Sequence, residues 1–376
     1  MRILIATDKF KGSLTGPEVA AALASGLSGH TVDTVPVADG GEGTVDAAIA
    51  VGYAEHRARV AGPTGEGVDA RFAVNGRDAV IEMAAASGLD VLPDGTLAPL
   101  RASSRGTGEL ISAALDAGCT RITIGVGGSA NTDGGAGVLA GLGVRLLDAA
   151  GNELPDGGAA LADLAFVDIA GLDPRVGACE IVLAADVDNP LVGARGAAEV
   201  FGPQKGATAS DVAALAAALS HYVTVLSSVV PAAADLAGAP GAGAAGGVGF
   251  AALVLGARRE PGTAVVQTLT GLAARITAAD LVITGEGSLD EQSLGGKAPI
   301  GVANAAAAAS VPVIAVCGRT TLSDTALRDA GFAAVYALSD LEPDVGKSMA
   351  GAADLLRRIG TTITADAARL TQGVTL

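Results

Sequence analysis

Apolar positions along this chain fall in short runs of strand length, separated by loops rich in glycine and acid and by Ala-rich helical stretches. Residues 2–7 form one such run, short and β-branched, of the kind that is buried on both faces of a sheet. A helix is predicted next, to about Leu27, with Pro17 in its first turn and Thr15 or Gly16 as its cap. A strand over 31–36 and a helix over 44–51 complete a βαβα pattern, the signature of a parallel sheet. The tail repeats it: strands over 281–284, 313–317 and 333–338 alternate with helices over 297–309, 324–330 and about 347–370. Neither end alone completes a doubly wound sheet, but together they do. The expected fold is therefore α/β with two domains. A Rossmann-like parallel-sheet domain is formed by both termini (1–61 plus 281–376), and a mixed α/β domain is inserted (62–280).

The middle of the chain has a different texture. Residues 57–61, 68–74 and 79–83 suit antiparallel strands, and Asn75-Gly76 between two of them is a strong hairpin signal. A helix over 104–117, strands over 121–125 and 180–184, and a long Ala-rich helix over 211–227 follow.

Composition narrows the function. There is no Trp and there are only nine Phe and Tyr, so the core must be aliphatic. A net charge of −16 argues against nucleic acid or an acidic membrane surface as a general partner, while leaving room for a local basic pocket. Cys119, Cys179 and Cys317 lie singly and read as buried small hydrophobes of a reduced, cytoplasmic protein. No signal peptide fits before the first strand, and no apolar run is expected to reach the length of a membrane helix. Three His residues leave little for a His-based triad or metal site.

The charged residues gather where predicted strands end. Asp8-Lys-Phe-Lys-Gly-Ser13 follows the first strand, Asp39-Gly-Gly-Glu-Gly43 the second, and Thr284-Gly-Glu-Gly-Ser-Leu-Asp290 the strand over 281–284. All three loops belong to one edge of one sheet, where α/β proteins bind ligands. Gly125-Val-Gly-Gly-Ser-Ala-Asn-Thr-Asp-Gly-Gly-Ala-Gly137 runs from a strand into a helix near Gly134. Its glycines free backbone N–H groups for an anion, which makes Gly127, Gly128 and Ser129 candidates for a phosphate cradle and Asp133 a cap or a water-mediated metal ligand. Asp186 and Asp188 stand two apart on an extended stretch, an arrangement suited to Mg²⁺, and Glu286 is a third candidate ligand. Lys205 is a point charge in a tight loop, suited to a phosphate or carboxylate. Carboxylates, a few lysines and glycine-rich anion loops together suggest phosphoryl transfer, which is mostly positioning and electrostatics. Lys9, Lys11 and Ser13 are expected to hold an anionic acceptor or the moving phosphoryl, and Asp39 or Asp290 to take the hydroxyl proton.

These motifs, with Asp186-Val-Asp-Asn-Pro-Leu191, Phe201-Gly-Pro-Gln-Lys-Gly206 and Pro240-Gly-Ala-Gly-Ala-Ala-Gly-Gly247, occur in an order that resembles the bacterial glycerate kinase type I family from residue 1 to about 370. The family often has Ser-Ala-Thr-Asn-Asp in the central loop, where this chain has Ser129-Ala-Asn-Thr-Asp133. The resemblance implies an ATP- and Mg²⁺-dependent kinase of D-glycerate. It also implies 2-phosphoglycerate as product and a role in glyoxylate, glycolate or sugar-acid breakdown. A kinase of another small hydroxy acid, or a sugar-acid-binding module without turnover, remains open at this point, as does oligomeric state.

Overall fold

A computed structural model describes residues 1–372. Its strands, in chain order, begin with β1 (Arg2–Thr7), β2 (Thr31–Thr34), β3 (Ala54–Ala61), β4 (Gly67–Asn75) and β5 (Asp78–Glu82). Next come β6 (Arg121–Gly125), β7 (Arg145–Leu147), β8 (Phe166–Asp168), β9 (Glu180–Ala184) and β10 (Arg258–Glu260). The last are β11 (Leu281–Leu289), β12 (Val313–Thr320) and β13 (Val335–Ala337). The chain divides into two compact units: residues 1–39 with those from 263 onward, and residues 40–262.

The terminal unit holds a five-stranded parallel sheet of order β13-β12-β11-β1-β2. Both faces are covered. On one, Ile3, Ile5, Ile283, Ile314 and Val316 meet Val19 and Leu23 of the helix Gly16–Gly26 and Leu356, Ile359 and Ile363 of the helix Ala352–Gln372. On the other, Leu4, Ala6, Val282, Ala315 and Cys317 meet Val302, Ala303 and Ala306 of the helix Ala298–Ala308, with Leu272 and Ile276. Continuous apolar strands are what a sheet covered on both sides requires. The first helix starts as its sequence predicts: Thr15 and Glu18 form a capping box and Pro17 occupies the first turn. Its last residue, Gly26, meets the long C-terminal helix so closely that a Cβ there would lie 2.2 Å from the Arg357 carbonyl oxygen.

The chain lays down β2 on one side of β1 and later returns to lay β11, β12 and β13 on the other. The order of the sheet therefore reverses between β1 and β11. Just beyond the carboxyl ends of two such strands lies the topological switch point, the usual ligand position of an open α/β sheet.

The inserted unit holds a mixed six-stranded sheet of order β10-β9-β6-β5-β4-β3, parallel from β10 to β5 and antiparallel from β5 to β3, with a separate antiparallel pair β7–β8. Its aliphatic core includes Ile81, Leu110, Ile111, Ile122, Ile124, Leu183 and Leu219. The helix Ala209–Ser227 is, by length and composition, apolar enough to cross a membrane, against the expectation from the sequence. Its Leu215, Leu219, Tyr222 and Leu226 are buried in this core.

Several boundaries differ from expectation. β3 pairs along its whole length with β4 and so belongs with the inserted sheet rather than with residues 1–39. Leu272 and Ile276 pack on the terminal sheet, which moves the second boundary upstream from 280 to 262. β11 runs to Leu289, five residues past its predicted end at 284, and stays in register with β12 throughout. Glycine and polar residues there read as loop, but parallel pairing with β12 holds the segment extended past the end of β1. The last helix is two, Val345–Ala350 and Ala352–Gln372, divided at Gly351. Cys119 and Cys317 are buried as expected, whereas Cys179 is only half-buried.

Candidate active site

In the terminal unit the charged residues meet at the switch point. Thr7 pairs with Gly285, and the Asp8 amide donates to the Gly285 carbonyl at 2.9 Å, so Asp8 and Glu286 lie on neighbouring strands at the same level. The Lys9 amide donates to Asp8 Oδ1 at 2.7 Å. Burial pushes the Asp8 carboxyl up to about 7, with repulsion from Asp39 and Glu286 adding to it and Lys9 opposing. Glu286 is also raised, first by burial and then by Asp290 and Asp39, against a hydrogen bond from Ser293 and the charge of Lys297. One of its oxygens, Oε1, is buried without a hydrogen-bond partner among the described residues. Buried polar atoms are seldom left this way, and at a ligand edge such an atom marks a place for a donor from outside the chain.

The other predicted residues of this edge take varied places. Lys9 is half-buried and Lys11 exposed, with buried Phe10 anchoring the loop between them. The Ser13 hydroxyl donates to the Met349 carbonyl at 2.8 Å, so it ties down the loop, and the helix cap is Thr15. Asp290 accepts from the amides of Gln292 and Ser293 and caps the short helix Glu291–Leu294. The cap engages Oδ1 of the carboxylate that the sequence offered as a proton acceptor. Sequence reasoning passed over Asp8 itself, because the flanking lysines drew attention away from the first residue after the strand.

In the inserted unit the Gly-rich loop follows β6. Its outer part is pinned by two main-chain bonds, Leu89 N–H to Gly128 O at 2.8 Å and Ala130 N–H to Ser87 O at 2.9 Å. The N–H groups of Gly127, Gly128 and Ser129 have no acceptor among the described residues. Three consecutive open amides, with Gly128 at φ +64°, form a concave donor surface suited to an anion.

Behind the loop sits Asp133, buried and accepting five hydrogen bonds. Oδ2 takes the Ser104 amide (2.7 Å), the Ser104 hydroxyl (2.9 Å) and the Gly137 amide (3.3 Å). Oδ1 takes Asn131 Nδ2 (2.8 Å) and the Gly135 amide (3.1 Å). Lys205 is equally buried, and its ammonium donates to the Asn131 carbonyl. Burial brings Lys205 down to about 7, with the Asp133 charge opposing. Both residues therefore bind the loop from within; the sequence offered Asp133 as a cap or a water-mediated metal ligand and Lys205 as a contact for a phosphate or carboxylate. Glu82, which sequence reasoning missed, has a similar place: at the end of β5 it accepts the amides of Gly43 (2.9 Å) and Val45 (2.7 Å) and so fixes the chain after Gly40. A polar residue ending an apolar strand was its only sequence signal.

Asp186 and Asp188 are exposed after β9. Asp186 accepts the Gly262 amide at 2.9 Å, and Asp188 pairs with Arg259 at 2.7 Å. Among the described residues, no group of three or more His, Cys, Asp and Glu is placed to hold a metal ion by itself.

A doubly wound sheet with carboxylates and lysines at its switch point, and a second unit offering an amide nest, define an α/β enzyme acting on small anions. The chain belongs to the glycerate kinase family, whose model matches residues 3–368. It is 46% identical over 373 residues to the glycerate 2-kinase of Escherichia coli K12, covering 97% of each protein. It is 43% identical to the glycerate kinase of Bacillus subtilis 168, again over 97% of each. The crystal structure of a protein assigned as glycerate kinase 2 from Salmonella typhimurium LT2 superposes with a TM-score of 0.83 at 42% identity, over 99% of both chains.

Proposed function

We propose that the protein transfers the γ-phosphoryl group of ATP to D-glycerate and releases 2-phosphoglycerate and ADP. The observation that carries this reading is the placing of Asp8, one residue past the end of β1, near Glu286 of β11 at the switch point, ringed by Asp39, Lys9 and Lys297. A carboxyl group that titrates near neutrality, held beside a second acid, is suited to accept a proton from an alcohol. Asp8 takes the proton of the attacking hydroxyl, whose oxygen forms the new bond to phosphorus as the bond to the ADP oxygen breaks. Glu286, with its unpartnered oxygen, orients that hydroxyl. Lys9 and Lys11 offset charge on the moving phosphoryl group, and Asp39 sets the local field that keeps Asp8 basic. The amides of Gly127, Gly128 and Ser129 receive phosphate oxygens of ATP, and Asp133 and Lys205 hold that loop in shape.

Magnesium fits the donor set in one respect: Asp186 and Asp188 offer hard carboxylate oxygens two residues apart on an exposed loop. They are too few to hold the ion alone, so phosphate oxygens of the nucleotide would supply further ligands, and Asp188 would exchange its ion pair with Arg259 for the metal. When bound, the ion supplies charge neutralisation between the phosphates. We place the enzyme in the cytoplasm, in the breakdown of glyoxylate, glycolate or sugar acids, as the resemblance of its motifs implies.

Phosphorus NMR of the protein incubated with ATP, Mg²⁺ and D-glycerate tests the reaction. The expected spectrum gains ADP and one new monoester signal coupled to the C2 proton. A signal coupled to the C3 protons overturns the regiochemistry, and unchanged ATP overturns the reaction.

A further inference from the structure

β11 and β12 do not stop at the level of the acids. They run one pleat further, with Ser288 beside Arg319 and Leu289 beside Thr320, a step of about 7 Å along the strands. Arg319 is thus displaced outward by two residues from Cys317, the residue that pairs with Glu286. Its backbone is held by close approach of the two strands, since a Cβ on the preceding Gly318 would lie 2.5 Å from the Gly287 carbonyl oxygen. Cys317 is buried and Arg319 is exposed.

The guanidinium of Arg319 has no hydrogen bond or ion pair among the described residues. In the same unit, Arg275, Arg357 and Arg369 pair with Asp33, Asp354 and Asp366. Arg2, Arg328 and Arg358 of this unit also have no acid partner among the described residues, so it is the place of Arg319 at the carboxyl edge, not its lack of a partner, that sets it apart. An exposed arginine elsewhere on the surface would carry no meaning. This one sits on a rigid strand, one pleat out from the carboxyl pair proposed to handle the hydroxyl.

We propose that Arg319 binds the carboxylate of the hydroxy-acid substrate. The inference rests on the reaction assigned above. A 2-hydroxy acid carries its carboxylate on the carbon next to the reacting hydroxyl, so an acid-side proton acceptor needs a cation close by and further out. The planar fork of arginine matches both carboxylate oxygens, whereas Lys9 and Lys11 are point charges better suited to phosphoryl oxygens. The pairing also sets substrate class. Acids with a free carboxylate next to the hydroxyl are accepted, and neutral polyols and amides are not.

Steady-state kinetics of Arg319→Ala and Arg319→Lys test this. For Arg319→Ala, KM for D-glycerate is expected to rise on the order of 100-fold, the effect of removing one partner of a hydrogen-bonded charge pair. KM for ATP should stay within about twofold, which also reports an intact fold. Arg319→Lys should recover only part of the loss, and added guanidinium ion should rescue Arg319→Ala. Wild-type enzyme should prefer D-glycerate to glyceramide, and Arg319→Ala should lose that preference. If wild type turns over D-glycerate and Arg319→Ala keeps its KM and its preference, this inference alone is overturned. If wild type does not turn over D-glycerate, the assigned reaction is overturned and the inference falls with it.

Discussion

At the edge of the terminal sheet, the side chains carry the unsatisfied chemistry. Asp8 and Glu286 are both pushed towards the protonated form, and Glu286 Oε1 lacks a partner. In the Gly-rich loop of the inserted unit the charged side chains are hydrogen-bonded and turned inward, and the open groups are main-chain amides together with Asn131 Oδ1 and Thr132 Oγ1, which are buried without a partner among the described residues. Asp133 has five donors and Lys205 a carbonyl, while three amides remain open. The difference shows two ways of preparing a site for an anion. One keeps titratable groups under electrostatic tension so that they can exchange a proton. The other fixes a neutral donor surface by burying ionic supports behind it. Substitutions in the first region should therefore change rate, and substitutions in the second should change stability.

The largest effect is expected at Asp8. Asp8→Asn should lower kcat by about 10²–10⁴, the usual contribution of a general base, with little change in KM for ATP, measured by an ATP-coupled assay. A comparable loss from Asp290→Asn would instead return the role to the capping residue.

Next comes Asp133→Asn. The amide cannot accept on its nitrogen side, so donors from Ser104 or Asn131 lose their partner and Lys205 loses its countercharge. Removing one member of a buried charged network costs about 3–5 kcal/mol, to be read from urea unfolding. Activity at low temperature should fall much less than for Asp8→Asn. If stability is unchanged, Asp133 is not the support described.

A smaller effect links pH to stability through Asp8. Its carboxyl titrates at about 7 in the folded chain and at 3.8 without the fold's influence. The folded state thus holds a proton over this window that the unfolded state has released, and stability falls as pH rises from about 4 to 7. After allowing for screening of a group that keeps some exposure, the drop is on the order of 1–2 kcal/mol, and Asp8→Asn should remove it from the ligand-free protein.

The smallest is Gly128→Ala. A Cβ there meets only Ala84 at an ordinary 3.5 Å, so the left-handed φ of +64° is the main obstacle. The strain is about 1–2 kcal/mol. KM for ATP is expected to rise up to about tenfold, with KM for D-glycerate unchanged.

Much of this comparison was legible in the sequence. The apolar runs located the terminal strands, and the βαβα pattern at both ends predicted a discontinuous parallel sheet, because strands covered on both faces must be apolar throughout. The glycine and acid clusters located the loops. What the sequence could not show was direction. Asp133 and Lys205 look like ligand residues in a list of charges, and only packing reveals that they face the protein. Gly285 to Leu289 looked like a loop because its strand character comes from pairing with β12 rather than from its own residues. Asp8 was hidden for a related reason: its carboxyl is raised first by burial at the folded sheet edge, with repulsion from Asp39 and from Glu286, 278 positions away and brought alongside by the register of β1 with β11, adding to it.

The central claim is that Asp8 is the proton acceptor of the reaction. The most direct test is the pH dependence of kcat/KM for D-glycerate in wild type and in Asp8→Asn. Wild-type kcat/KM should rise about tenfold per pH unit below pH 7 and level off above it, and the residual activity of Asp8→Asn should show no such limb. An unchanged acid limb and near-wild-type kcat/KM in Asp8→Asn would contradict the account.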